Sequence, residues 1–290
     1  MSKKITVAKY AGFCYGVKRA VETVKKLKQE NKDKNVFVLG ELIHNSQVIK
    51  ELEELGIKTV DELPKNESGI CVVRSHGASP KVVKEIQEKG FELVDLTCLD
   101  VKKVQQQAIQ LANEGDYVVI VGKAEHPEVI AIKANAEQFT DKIAVASEIA
   151  QLESVKDEIK AHKKVGIVVQ TTQRIETLQE ILTYLTTIAK EIHLVNTICQ
   201  STSMRQKEAK ELAAANDLVV VVGSKKSANT THLAEILEGI TQTIHIENDF
   251  ELDDYKDLIE TSQNIAITAG ASTPQNIIDK VYKKIEGGQK

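Results

Sequence analysis

At 290 residues, with 42% hydrophobic residues and four prolines, the chain is long enough for one large domain or two to three small ones and too apolar to be disordered. A net charge of -4, from 42 acidic against 38 basic residues, speaks against nonspecific nucleic-acid binding. No run approaches the ~18 apolar residues of a membrane span, and MSKKITVAKYAG lacks the apolar stretch of a signal peptide, so a cytoplasmic location without membrane partners is expected.

Along the chain, short apolar runs ending in Gly, Ser or Thr alternate with segments of helical period, which predicts an α/β fold of mostly parallel sheets. The first segment, VAKYAGFCYGVKRAVETVKKL, puts Cys14 between a short strand and an amphipathic helix, flanked by Gly12 and Gly16. NVFVLG then reads as a strand closed by Gly40, with His44 four residues later, and ICVVRS as a strand running into RSHGAS, which contains His76. LVDLTCLDVKKVQQQAIQLA repeats the opening design around Cys98. YVVIVG follows, with Gly122 and then His126, and VGIVVQTT ends at Thr171 in QTTQ. The third round is LVNTICQSTSMRQKEAKELA around Cys199, LVVVVGS with Gly223 and then Ser227, and NIAITAGAS, which ends at Ser272 in AGAST.

The recurrence predicts three similar units, 15–97, 98–195 and 196–284 together with 1–14. Ligands of parallel sheets gather beyond the carboxyl ends of the strands, so a pseudo-threefold arrangement brings the three cysteines and the polar loops to one centre. Cys71 lies inside a strand without a counterpart and is expected to be an inert core thiol. Each of the other three cysteines heads a helix, where a thiolate is favoured, and the set points to a metal site. Spacing leaves two metals open: zinc, with His44, His76 or His126 as fourth ligand, and an iron-sulfur cluster with one iron lacking a protein ligand. The loops HNS, SHGAS, SANTT and GAST open helices with small donors suited to a diphosphate, although each Asn, Ser or Thr also reads as an ordinary helix cap. Glu128, two residues after His126 in HPEV, is a candidate proton donor. No dinucleotide or Walker fingerprint is present. A nonenzymatic metal sensor and a transferase with a cysteine nucleophile are the rival functions.

The ordered set GFCYGVKRAV, LIHNSQVI, RSHG, DLTC, HPEV, QTT, GSKKSANTTHL and AGASTP resembles the 4-hydroxy-3-methylbut-2-enyl diphosphate reductases, the IspH or LytB family. The resemblance implies a trefoil of three α/β units around one 4Fe-4S cluster, ligated by Cys14, Cys98 and Cys199 and leaving one iron open. It implies reductive removal of the allylic hydroxyl of the substrate, giving isopentenyl and dimethylallyl diphosphates in the last step of the non-mevalonate pathway. His44, His76, Ser227, Asn229 and Ser272 would hold the diphosphate, His126 would lie at the hydroxymethyl end, and Glu128 would deliver protons through a relay that includes Thr171. Ferredoxin or flavodoxin would donate electrons. The chain departs from the family pattern at Ala228, at Glu125, at Leu99 and Asp100, and in IAIKANA after HPEV. Asp100 is expected to face outward.

Overall fold

The computed structural model describes residues 3–287. It contains the strands β1 (Lys4–Val7), β2 (Val36–Leu39), β3 (Ile57–Val60), β4 (Ile70–Val73), β5 (Glu92–Asp95) and β6 (Tyr117–Val121). These are followed by β7 (Ile143–Ala146), β8 (Lys164–Val169), β9 (Glu191–Leu194), β10 (Leu218–Val222), β11 (Gln242–Ile246) and β12 (Asn264–Ala269). The helices are α1 (Tyr15–Glu30), α2 (Ser46–Glu54), α3 (Pro80–Glu88), α4 (Leu99–Asn113), α5 (Pro127–Ala136) and α6 (Ile149–Glu153). The rest are α7 (Lys156–His162), α8 (Ile175–Leu185), α9 (Gln200–Ala215), α10 (Ala228–Glu238), α11 (Lys256–Thr261) and α12 (Gln275–Gly287), with a 3-10 helix at Asp249–Tyr255. No described helix is long and apolar enough to cross a membrane.

The strands form three four-stranded sheets, ordered β1-β12-β10-β11, β5-β4-β2-β3 and β9-β8-β6-β7, and every pairing is parallel. The topology is therefore the same in each, with the strand that leads to a cysteine at one edge. Central strands such as β6 and β10, buried along their whole length, are continuous apolar runs because helices cover both faces of a parallel sheet. The cysteine-side edges β1, β5 and β9 share a half-exposed pattern instead. The fourth strand of each sheet, β3, β7 or β11, was not expected from the sequence; each is only four or five residues long.

By its contacts the chain groups into two bodies. One comprises Met1–Arg19, Ile43–Glu51 and Gln200–Lys290 and holds the first sheet. On one face Ile277, Ile278 and Val281 of α12 pack against Val220, Val222 and Ile267; on the other, Ala209 and Ala213 of α9 and Leu233 and Leu237 of α10 meet Val219 and Val221. The second body, Ala20–Leu42 and Leu52–Cys199, holds the other two sheets. There α4 and α5 lie side by side on the β6–β8 sheet through Val104, Leu111, Val129 and Ile132, with α8 on the opposite face. Phe37, Cys71, Val73, Ile86 and Phe91 form the core over the β2–β4 sheet, and Phe37 meets Phe91 edge to face at 5.7 Å.

Candidate active site

In the second body, Glu128 occupies the first turn of α5, a helix opened by Pro127 and capped by His126. His126 Nδ1 accepts the Glu128 N–H at 3.2 Å, so the neutral imidazole carries its hydrogen on Nε2 and presents a donor. The ring meets His76 edge to face, centroids 5.5 Å apart. The Glu128 side chain is buried, and Thr171 serves both of its oxygens: the backbone N–H donates to Oε1 at 2.6 Å and the hydroxyl to Oε2 at 2.8 Å. Burial pushes the carboxyl up to about 7 against the pull of the two Thr171 bonds, and the Asp100 carboxylate pushes in the same direction as burial. A carboxyl poised there is protonated in about half of the molecules at neutral pH, against almost none for an ordinary carboxyl. Once protonated, it donates to Thr171 Oγ1, which frees the threonine hydrogen to be passed on.

In the first body, the turn after β12 and the start of α10 bring three polar groups together. Ser272 Oγ lies 3.3 Å from the His44 carbonyl and 3.4 Å from Ser227 Oγ. Ser227 is the N-cap residue of α10, yet its side chain makes no capping bond. Asn229 is buried in the first turn of α10; its Oδ1 accepts from Thr202 at 3.4 Å, while its Nδ2 meets no acceptor among the described residues. An unsatisfied buried amide at the start of a helix whose N-cap side chain makes no capping bond is chemistry for an anionic ligand. The loop residues that do act as ordinary caps are Asn45, whose Oδ1 takes the N–H of Gln47 and Val48, and Ser79, which takes that of Val82.

None of the four cysteines is in a disulfide. Cys71 is fully buried, and burial raises its thiol to about 11, so it is the inert core residue expected. The other three are half-buried, and each directs its backbone N–H to a carbonyl of a polar strand-end loop: Cys14 to Ala271 at 3.2 Å, Cys98 to Ser75 at 2.9 Å and Cys199 to Thr171 at 3.0 Å. Each then leads directly into a helix, and the Val17 N–H approaches Cys14 Sγ at 3.5 Å.

Of the departures from the family pattern, Glu125 is exposed and Leu99 is 44% exposed. Asp100 turns outward only in part: it lies 3.8 Å from Lys103 Nζ and still acts on Glu128. Several supporting residues escape notice in the sequence. Gln170 Oε1 accepts the Lys123 N–H at 3.2 Å and so ties the loop after β8 to the loop after β6. Arg205, buried on α9, is marked only by lying at helical spacing among the inward residues Thr202, Gln206 and Ala209. Apart from these groups, His193 is bracketed by two carboxylates, Nδ1 to Asp116 at 2.6 Å and Nε2 to Glu191 at 2.9 Å, which raise its pKa.

Strand-end thiols, imidazoles and a buried carboxyl that holds a proton near neutrality are the equipment of an α/β enzyme that joins proton transfer to sulfur ligation. Comparison with known proteins gives the same direction. The chain belongs to the LytB protein family, whose model matches residues 5–286. It is 39% identical to the 4-hydroxy-3-methylbut-2-enyl diphosphate reductase of Geobacter sulfurreducens over 284 residues, covering 98% of this chain and 97% of that protein. The enzyme of the same name from Aquifex aeolicus is 37% identical over 283 residues, covering 97% of this chain and 96% of its own length. A solved structure of (E)-4-hydroxy-3-methyl-but-2-enyl diphosphate reductase, described as the terminal enzyme of the non-mevalonate pathway, is 36% identical, with a TM-score of 0.72 over 98% of this chain and 99% of that one. The Plasmodium falciparum reductase structure superposes with a TM-score of 0.86 at 25% identity, over 98% of this chain and 88% of that one.

Proposed function

We propose that this chain reduces 4-hydroxy-3-methylbut-2-enyl diphosphate, taking up two electrons and two protons and releasing the allylic hydroxyl as water to leave isopentenyl and dimethylallyl diphosphates. Membership of the LytB family along 5–286 carries the reading, and the Glu128–Thr171 pair supplies the proton chemistry it needs. Cys14, Cys98 and Cys199 are the proposed ligands of a 4Fe-4S cluster with one open iron. Their fit rests on half-buried thiols, none of them in a disulfide, anchored by the backbone at helix starts. When bound, the cluster supplies electrons and a Lewis-acidic iron.

In this reading the protein's own groups do the rest. Glu128 keeps a proton in a buried, water-poor position, and Thr171 transfers it; His126, donor at Nε2, orients the hydroxymethyl end of the substrate. Ser227, Asn229 and Ser272 receive the diphosphate at the start of α10, with His44 and His76 adding imidazole donors. Ala228 contributes only its backbone N–H there. The units 15–97, 98–195 and 196–284 with 1–14 belong to the same proposal, as does ferredoxin or flavodoxin as electron donor.

The experiment is anaerobic purification and reconstitution, followed by iron and acid-labile sulfide per chain and turnover of the diphosphate with a chemical reductant. About four irons and four sulfides with diphosphate products support the reading. Stoichiometric zinc without sulfide, and no turnover after reconstitution, refutes it.

A further inference from the structure

The three segments that lead into the cysteines are not alike. Only residues 96–97 separate β5 from Cys98, and residues 195–198 separate β9 from Cys199, whereas residues 8–13 separate β1 from Cys14. The two shorter connections are tied to strands: the Thr97 backbone N–H and hydroxyl both donate to Asp95 at the end of β5, and Thr197 Oγ1 takes the N–H of Val169, at the end of β8, at 2.7 Å. The longer one is held by side chains of helix α9, within the same body.

Arg205 is 3% exposed, a costly position for a guanidinium unless its donors are used. Its Nε–H goes to the Tyr10 carbonyl at 3.0 Å, its Nη2–H to the Gly12 carbonyl at 2.8 Å and Nη1 to Ser201 Oγ at 3.3 Å. One turn further along α9, the two carboxylate oxygens of Glu208 take the backbone N–H groups of Lys9 and Tyr10 at 2.8 and 2.9 Å. Two side chains of one helix thus hold four backbone groups of the segment. Gly12 fixes its path at φ +93°, where a Cβ would meet Ile278 Cδ1 at 3.2 Å and the Thr273 carbonyl at 3.3 Å.

We propose that Arg205, assisted by Glu208, is the positioning residue for Cys14: it clamps the segment before the thiol so that the sulfur is offered to the metal centre in a single geometry. The inference rests on the reading of Cys14 as a cluster ligand. It assigns a role in metal retention to a residue that touches no substrate and sits on the helix that begins one residue after Cys199.

The test uses reconstituted holoenzyme of wild type, Arg205→Met, Arg205→Lys and Glu208→Gln. Iron release is followed under a chelator, and alkylation of each cysteine is followed by mass spectrometry after the cluster is removed. Arg205→Met is expected to release iron roughly tenfold faster, in line with the loss of an outer-shell support. Its Cys14 should alkylate faster while Cys98 and Cys199 keep their wild-type rates. Arg205→Lys should fall between, since one ammonium cannot serve two carbonyls as a guanidinium fork does. Iron release within about twofold of wild type together with unchanged Cys14 alkylation overturns the proposal. If Arg205→Met exposes all three cysteines through general unfolding, Glu208→Gln decides: faster alkylation confined to Cys14 supports the clamp, and no change overturns it. A wild type that takes up no iron refutes the cluster reading instead, and the alkylation arm still tests the clamp.

Discussion

Replacing Glu128 by Gln removes a titration that the wild-type fold opposes. In the folded chain the carboxyl is raised from 4.5 to about 7, chiefly by burial, a shift worth roughly 3 kcal/mol. Between those two pH values the folded protein holds a proton that the unfolded chain has lost, so stability falls as pH rises through the window. Below it the cost is absent; above about 7 it is fully paid by the wild type and never by the Gln variant, whose side-chain carbonyl can still accept the Thr171 N–H. The stability difference between the two proteins should therefore drift by roughly 3 kcal/mol in favour of the variant between about pH 3.5 and about pH 8.5. For a chain of this size that is on the order of 6–10 °C in Tm. Thermal unfolding of cluster-free wild type and Glu128→Gln across this range measures it, and groups common to both proteins cancel. A difference that stays flat with pH refutes the reasoning. In the loaded enzyme the same substitution should lower turnover by about 10²–10⁴-fold, the usual contribution of a positioned proton donor, and full activity would remove Glu128 from the proton path.

Serine at Cys14, Cys98 or Cys199 should each abolish stable iron binding. Cys71→Ser should keep the iron and cost about 1–3 kcal/mol, measured by denaturant unfolding, because it buries a hydroxyl in the apolar core. Asn229→Ala should raise KM for the diphosphate about tenfold with iron content unchanged, the loss of one hydrogen bond to a charged group, and a KM like that of the wild type would place the anion elsewhere. His193→Gln should destabilise the protein more at pH 5.5 than at pH 8.5. Asp116 and then Glu191 raise the ring's pKa in the folded state, so its stabilisation is complete below the unfolded value and is lost as pH rises through the folded one. Melting curves at the two pH values decide it.

The central strands were readable because a parallel strand covered on both faces must be apolar throughout, as Tyr117–Val121 and Leu218–Val222 are. Ile57–Val60 and Ile143–Ala146 were not, since IKTV and IAVA are four residues long and no repeated cysteine, or glycine with a polar loop, marks their ends. Repetition made the site legible: the same offset from a strand-end glycine picked out His44, His126 and Ser227 without any knowledge of contacts. It could not tell a cap from a ligand group. Asn45 and Ser227 are the same kind of residue at the mouth of a helix, and only geometry reveals that Asn45 spends its side chain on the backbone while Ser227 does not. HPEV marked Glu128 as a candidate proton donor, but not the rise in its pKa, because that follows from burial that distant residues create.

The amide of each of these three cysteines is tied to a carbonyl of a polar loop: Ala271 precedes Ser272, Ser75 precedes His76, and Thr171 is itself the partner of Glu128. Main chain, not side chain, thus sets the distance between a sulfur and its neighbouring polar group. Side chains around a thiol can then vary, as at the exposed Leu99 next to Cys98, without loss of that backbone tie. The footing of each thiol is thereby robust to sequence drift, and a lineage is left free to vary the side chains around it while the backbone tie stays in place.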